Sequence, residues 1–312
     1  MGNLILSLNV VLPLFLTMSL GYFLKYLNMF DNNTLDRMNN ITFKSFLPML
    51  LFYNIYKTDL HGVFNLKLIM FSVTCVLVLY SLLYLIVPLI EKDNKKRGAL
   101  LQGLFRSNFV IFGLPITESL FGSEKVGVAA LLIAIIVPLF NILSVLALET
   151  FRGGKPDFKK ISIGIIKNPL VIASCLGILT LLLKVKIPTA IEKTISDISK
   201  IATPLSLILL GASFKFDEIK KYIKQTSIAV IGKTVLIPCV MLPICIMFGY
   251  RGIELSTLMI IFAAPTSVSS FTMAQQMESD SDLAGQIVVF TSGFCVVTVF
   301  MWIFILKQAH LI

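Results

Sequence analysis

Ten predominantly apolar stretches follow one another along this chain, each near the ~20 residues that a helix needs to cross a bilayer. They cover approximately 4–24, 38–56, 67–89, 98–121, 126–148, 168–184, 197–213, 227–249, 255–277 and 283–306. Polar residues are confined to short connections, the longest running from Glu149 to Lys167. The bias holds from end to end: 56% of the 312 residues are hydrophobic and 14% charged, where a soluble domain carries about 25% charge. A soluble enzyme, a disordered chain, a disulfide scaffold and a coiled coil are excluded. The expected fold is all-α and integral to a membrane, with ten transmembrane helices and no separate soluble domain. Met1-Gly2-Asn3-Leu4 carries no basic residue, so the first stretch is expected to be a span and not a cleaved signal.

The formal charge is +10. Basic residues gather after the third stretch (Lys92, Lys95, Lys96, Arg97), the fifth (Arg152, Lys155, Lys159, Lys160, Lys167) and the seventh (Lys215, Lys220, Lys221, Lys224). With ten spans these connections share one side, which the positive-inside rule makes cytoplasmic. Both termini are then expected outside the cytoplasm, in a multi-pass protein of the cell membrane. The same rule accounts for the basic balance without nucleic acid. The cysteines Cys75, Cys175, Cys239, Cys245 and Cys295 all fall in apolar stretches and form no C-x-x-C pair. They are expected to be small buried hydrophobes, with no disulfide and no metal.

The chain also resembles itself. Pro13-Leu14-x5-Leu20-Gly21 in the first stretch returns as Pro169-Leu170-x5-Leu176-Gly177 in the sixth, and Pro48 returns as Pro204 at the same spacing. Pro115 and Pro265 are paired in the fourth and ninth stretches, beside Gly113-Leu114 and Ala263-Ala264. Residues 1–150 and 151–312 then form two five-helix repeats. An odd number of spans turns the second copy upside down, the arrangement of many secondary carriers, whose sites lie where broken helices meet. Proline removes a helical hydrogen bond, so breaks are expected near Pro115 and Pro265, each followed by a half-helix with a positive N-terminal end. Ser107, Asn108, Thr117 and Glu118 surround the first; Thr266, Ser267, Ser269, Ser270, Thr272, Gln275 and Gln276 follow the second.

These residues resemble the auxin efflux carrier family in its short bacterial form, and through it the plant PIN-type carriers. The resemblance spans nearly the whole chain. It is carried by Arg106-Ser107-Asn108-x4-Gly113-Leu114-Pro115, Asn168-Pro169-Leu170, Thr203-Pro204-Leu205-x4-Leu210-Gly211-Ala212-Ser213 and Ala264-Pro265 followed by Ala274. It implies a scaffold of helices 1, 2, 6 and 7, a moving transport domain of helices 3–5 and 8–10, crossing broken helices 4 and 9, elevator-type alternating access and a homodimer. Asn108 and Pro115 match the family's residues at the helix 4 crossing, Asn141 matches an asparagine of helix 5 that lines the site, and Pro265 matches the first proline of helix 9. Ser270 stands where the plant carriers have a second proline, and Glu118 where they have a lysine. The substrate implied is a small organic anion, a carboxylate such as malate or malonate before an auxin-like acid.

An ionisable group inside a span costs about 2.5–3.5 kcal/mol on insertion scales, so each asks for a reason. Arg106, roughly 12 Å into the fourth stretch at the helical rise, either holds an anion or snorkels to the interface. Lys233 either neutralises a carboxylate or snorkels. Glu118 is the acidic residue well inside a span and the first candidate for proton or sodium coupling, unless it caps a half-helix; Gln275 and Ser267 are the alternatives. Lys44 and Lys200 are expected at the interface, and Trp302 against lipid. Asn54 either packs on polar backbone or faces substrate. The candidate substrate-binding set is Arg106, Asn108, Pro115, Asn141, Pro265, Ser267 and Ser270. No cofactor is called for: Gly232-Lys233-Thr234 lacks the earlier glycine of a phosphate loop, and His61 and His310 cannot make a histidine-rich metal centre. A membrane-embedded enzyme or a channel is the alternative class, and no catalytic constellation supports it.

Overall fold

The computed structural model describes residues 2–58, 65–122, 125–152 and 158–312. His61 and Lys155 lie outside the described residues. All regular structure among them is helical. Every apolar stretch falls on helix: α1 (Gly2–Tyr26), α2 (Asn32–Ile41) running on into α3 (Leu47–Tyr56), α4 (Leu66–Ile90), α5 (Asn94–Phe105) with α6 (Phe109–Phe121), and α7 (Gly127–Thr150). Then come α8 (Phe158–Lys167), α9 (Pro169–Leu182), α10 (Thr189–Ser213), α11 (Ile219–Ile231) running on into α12 (Ile237–Met247), α13 (Gly252–Ala263) with α14 (Ser269–Gln276), and α15 (Ser281–Gln308). Five helices are long and apolar enough to cross a membrane: Leu66–Ile90, Gly127–Thr150, Thr189–Ser213, Phe216–Met247 taken as one, and Ser281–Gln308. Shorter apolar helices are Val11–Tyr26, Phe109–Phe121, Pro169–Leu182 and Gly252–Ala263.

Capping residues start the helices where the connections deliver them. Asp31, Asn65, Asn168 and Asp280 each accept from a first-turn N–H, and Pro169 takes the favoured first position of α9. Helix α10 begins eight residues before its apolar stretch, because Lys193, Asp197 and Lys200 pair on its exposed face. Lys200 and Lys44 are exposed. Helix α8 was not expected in the polar connection; Ile161, Ile163, Ile165 and Ile166 among lysines give it an apolar share that the connection's overall polarity conceals.

Most of the prolines sit inside helices that continue through them, Pro13, Pro88, Pro138, Pro204 and Pro243 among them. Pro48 and Pro238 are each preceded by a π-helical turn, Thr42–Phe46 and Gly232–Leu236. The ring clashes with the carbonyl four residues back, and an inserted residue relieves the clash. For Pro238 that carbonyl belongs to Thr234, and the Trp302 indole donates to it at 3.0 Å. Trp302 is therefore a half-buried partner of the π-turn that precedes α12, a contact that its sequence position did not announce. Trp302→Phe is expected to cost about 1 kcal/mol, a typical hydrogen bond between membrane helices, read as a lower melting temperature of the purified protein; Phe304→Leu, on an exposed position of the same helix, should leave it unchanged.

Two groups of helices pack against each other. In the first, α1 lies on α10 and α3 on both α9 and α10. Gly21 and Gly211 bring α1 and α10 into backbone contact: a Cβ on Gly21 would stand 2.0 Å from the Ile208 carbonyl oxygen, and one on Gly211 1.9 Å from that of Met18. Gly177, one repeat on from Gly21, packs α9 on Ile55 of α3. Helices α4–α7 and α11–α15 form the second group around a core that includes Phe105, Phe109, Phe140 and Phe262. An apolar cluster of Phe43, Leu47, Leu51, Leu170, Val145, Leu148 and Met273 joins the groups. Outer faces are apolar too: Leu89 is 83% exposed and Met247 84%, a surface that suits hydrocarbon and not water. Cys75, Cys245 and Cys295 are buried, but Cys175 and Cys239 are exposed. Both were expected inside; against lipid an apolar thiol needs no burial.

Candidate functional site

The second group is interrupted twice. Helix α5 ends at Phe105, residues 106–108 are extended or irregular, and α6 begins at Phe109. Helix α13 ends at Ala263, and α14 begins at Ser269. The second break follows from Pro265, which holds Ala264 extended (ψ 152°). The first departs from the sequence reading, which put it at Pro115. Pro115 lies inside α6, buttressed on both sides by helix, and the break falls at Arg106-Ser107-Asn108. A lone proline costs a spanning helix one hydrogen bond that neighbours can compensate; three consecutive polar residues have better partners elsewhere.

Those partners are in the other break. Ser107 and Thr266 form an antiparallel bridge, and the Asn108 N–H donates to the Pro265 carbonyl at 2.7 Å. The Ser107 hydroxyl donates to the Ile261 carbonyl in the last turn of α13. In return the Thr266 hydroxyl donates to the Gly103 carbonyl in the last turn of α5 at 2.7 Å. Each break thus satisfies carbonyls that the other leaves open. Irregular backbone is tolerated at membrane depth only under that condition.

A cavity of about 60 Å³ opens where the breaks face the first group. Its polar wall is Arg106, Ser107, Asn108, Asn141, Ser267 and Ser269. Phe109, Phe140, Leu47, Leu50, Leu51 and Leu170 supply apolar walls, with Asn54, Thr203 and Ser206 at the edge. Arg106 does not snorkel. It is 4% exposed, and its Nη2 donates to Asn141 Oδ1 and to Ser269 Oγ, each at 2.7 Å. Its Nη1 rests on the Met273 sulfur, and it makes no ion pair with any described residue. Because the guanidinium occupies Asn141 Oδ1, the Asn141 amide nitrogen points elsewhere and has no protein partner; the same holds for the amide nitrogens of Asn108 and Asn54 and for Ser206 Oγ. Phe109, Val110 and Ile111, the first turn of α6, line the same space. Arg106 brings a full positive charge to this wall, and no aspartate or glutamate lines the cavity.

Of the residues expected at the site, Arg106, Asn108, Asn141 and Ser267 line the cavity. Pro265 supports it through its carbonyl. Ser270 is buried just behind, its hydroxyl unpartnered. Pro115 lines no part of it. Glu118 is exposed in the last turn of α6, away from the cavity. Gln275 ties α14 to α2, accepting from Asn39 and donating to Asp36, each at 2.6 Å. Lys233, expected to snorkel or to meet a carboxylate, does neither: it is fully buried and donates to Ser107 Oγ at 2.5 Å. Sequence reasoning passed over Ser269 as a partner for Arg106, 163 residues away; the density of hydroxyls after Pro265 was the available signal.

Apolar outer faces and a cavity walled by an arginine without an ionic partner among the described residues, at two mutually paired helix breaks, describe a multi-pass membrane transporter. The chain belongs to the family described as membrane transport protein, the auxin efflux carrier family, which it matches over residues 6–159 and 158–303. It is similar to an uncharacterized transporter of Methanocaldococcus jannaschii, at 25% identity over 96% of this chain and 99% of that one. A second uncharacterized transporter, from Methanothermobacter thermautotrophicus, is 24% identical over 95% of this chain and 97% of its own length.

Proposed function

We propose that this transporter carries small organic anions, carboxylates such as malate or malonate, by elevator-type alternating access. The observation that carries the reading is Arg106, a buried guanidinium without an ionic partner among the described residues, in a cavity wall that holds no aspartate or glutamate. A carboxylate supplies the missing negative charge, and charge-assisted bonds of this kind are the strong ones. The positive N-terminal end of α6 adds to the attraction. Ten spans follow on this reading: α1, α2–α3, α4, α5–α6, α7, α9, α10, α11–α12, α13–α14 and α15. They divide into inverted repeats at residues 1–150 and 151–312. The first packing group serves as the scaffold of a homodimer in the cell membrane, with both termini outside, and the second group moves with the crossing.

Thermal stabilisation of the purified transporter by a panel of mono- and dicarboxylates, followed by counterflow in proteoliposomes, tests the substrate class. A carboxylate should stabilise the protein and exchange across the bilayer, whereas amines and neutral sugars should do neither. Asn108→Ala and Asn141→Ala should weaken binding without lowering the melting temperature of the free protein. Exchange confined to neutral or cationic solutes would overturn the assignment. Glu118 and Gln275 remain the candidates for a proton or sodium site only if uptake proves ion-dependent and Glu118→Gln removes that dependence.

A further inference from the structure

Lys233 is a buried cation at the crossing that the substrate site does not use. It lies in the π-turn before Pro238, 0% exposed, and that turn presses on the end of α5 closely enough that a Cβ on Gly232 would stand 2.6 Å from Leu104. Its Nζ donates to Ser107 Oγ at 2.5 Å and reaches the carbonyl of Phe105, the last residue of α5, at 3.4 Å. Ser107 hands its own proton to Ile261 in the last turn of α13. No described aspartate or glutamate pairs with Lys233. The ammonium therefore faces the C-terminal end of α5 directly and that of α13 through the Ser107 hydroxyl.

Those ends carry partial negative charge. In carriers built on broken helices, half-helix C-termini and unwound carbonyls are where an inorganic cation coordinates. Here the position is already filled by a side chain. We propose that Lys233 is a tethered cation standing in for an inorganic co-ion at the crossing, holding Ser107, and with it Arg106 and Asn108, in the geometry that receives the anion. It is a positioning residue: Ser107 lines the cavity, whereas Lys233 does not. The inference rests on the anion-carrier reading above and adds that substrate binding needs no sodium.

Counterflow of radiolabelled malonate, or of whichever carboxylate stabilises the protein, is measured in proteoliposomes with sodium chloride or choline chloride on both sides. Wild-type uptake should be the same in both salts. Lys233→Ala should lose uptake about tenfold or more, the change that ~1.4 kcal/mol produces, and should regain part of it when methylammonium or sodium enters the vacated space. Lys233→Met, which fills that space with an apolar chain, should stay inactive in every salt while remaining monodisperse. Sodium-dependent uptake by the wild type overturns the inference, as does wild-type uptake by folded Lys233→Met or a folded Lys233→Ala that no cation restores. Should Lys233→Ala not fold, the wild-type salt comparison decides alone. If the wild type moves no carboxylate in either salt, the anion-carrier reading itself fails.

Discussion

Arg106→Met is expected to remove carboxylate binding while leaving the folded protein at least as stable as the wild type. A hydrogen bond to a charged group is worth ~1.5–3 kcal/mol, so affinity should fall about ten- to a hundredfold. Stability should move the other way or not at all, because a buried charge without an ionic partner is costly and an apolar side chain of similar length often replaces it without loss. Arg106→Lys keeps the charge but gives up the two-pronged donation that Nη2 makes to Asn141 and Ser269, and should fall between. Binding by isothermal calorimetry and melting of the free protein give the two readouts. If affinity and melting temperature fall together in Arg106→Met, the arginine is a brace for α7 and α14 and the anion assignment loses its main support.

The second large effect is mechanical. Gly21→Ala places a methyl group 2.0 Å from the Ile208 carbonyl oxygen, and Gly211→Ala places one 1.9 Å from that of Met18. Both obstacles are backbone, so α1 and α10 must separate. We expect each substitution to cost about 3 kcal/mol or more, the upper end of overpacking losses, and to lower both melting temperature and yield. Gly177→Ala is the control. Its Cβ meets Ile55 Cβ at 3.0 Å, about an ångström farther than the carbonyl oxygens, so a small shift of α9 suffices and its cost should stay near ~1 kcal/mol. Equal losses for Gly21→Ala and Gly177→Ala in a detergent melt would show that the close approach of α1 and α10 does not carry stability.

The sequence disclosed the helices because length and apolarity are properties of a local stretch. Leu20-Gly21 and Leu176-Gly177 even pointed to packing, since both glycines face another helix of the same group. The crossing was half legible. Pro265 marks its own break, because it forces the preceding residue out of the helical region. Pro115 misled, because a proline's strain is often absorbed, whereas Arg106-Ser107-Asn108 breaks only when Pro265 and Ile261 are there to pair with it. Such pairings join residues more than 150 positions apart, and helical periodicity says which face a residue occupies but not what it meets. Lys233 and Trp302 were missed for the same reason. A signal did exist for Trp302: Pro238 leaves the Thr234 carbonyl short of its helical partner, and a donor had to come from somewhere.

The leucine wall opposite the breaks has a consequence for how firmly the two helix groups are seated. Attraction between leucine faces depends on area, not on direction, so Leu47, Leu50, Leu51 and Leu170 hold the groups together without preferring one register over its neighbours. What locates the present register is a few polar ties at the rim, Gln275 to Asn39 and Asp36, and Lys215 to Asp282. Asn39 is buried, but Asp36 and Lys215 are exposed, and ties between exposed groups are weak because water replaces them readily. A joint of that kind resists separation more than sliding, which is the property that the proposed elevator movement would require.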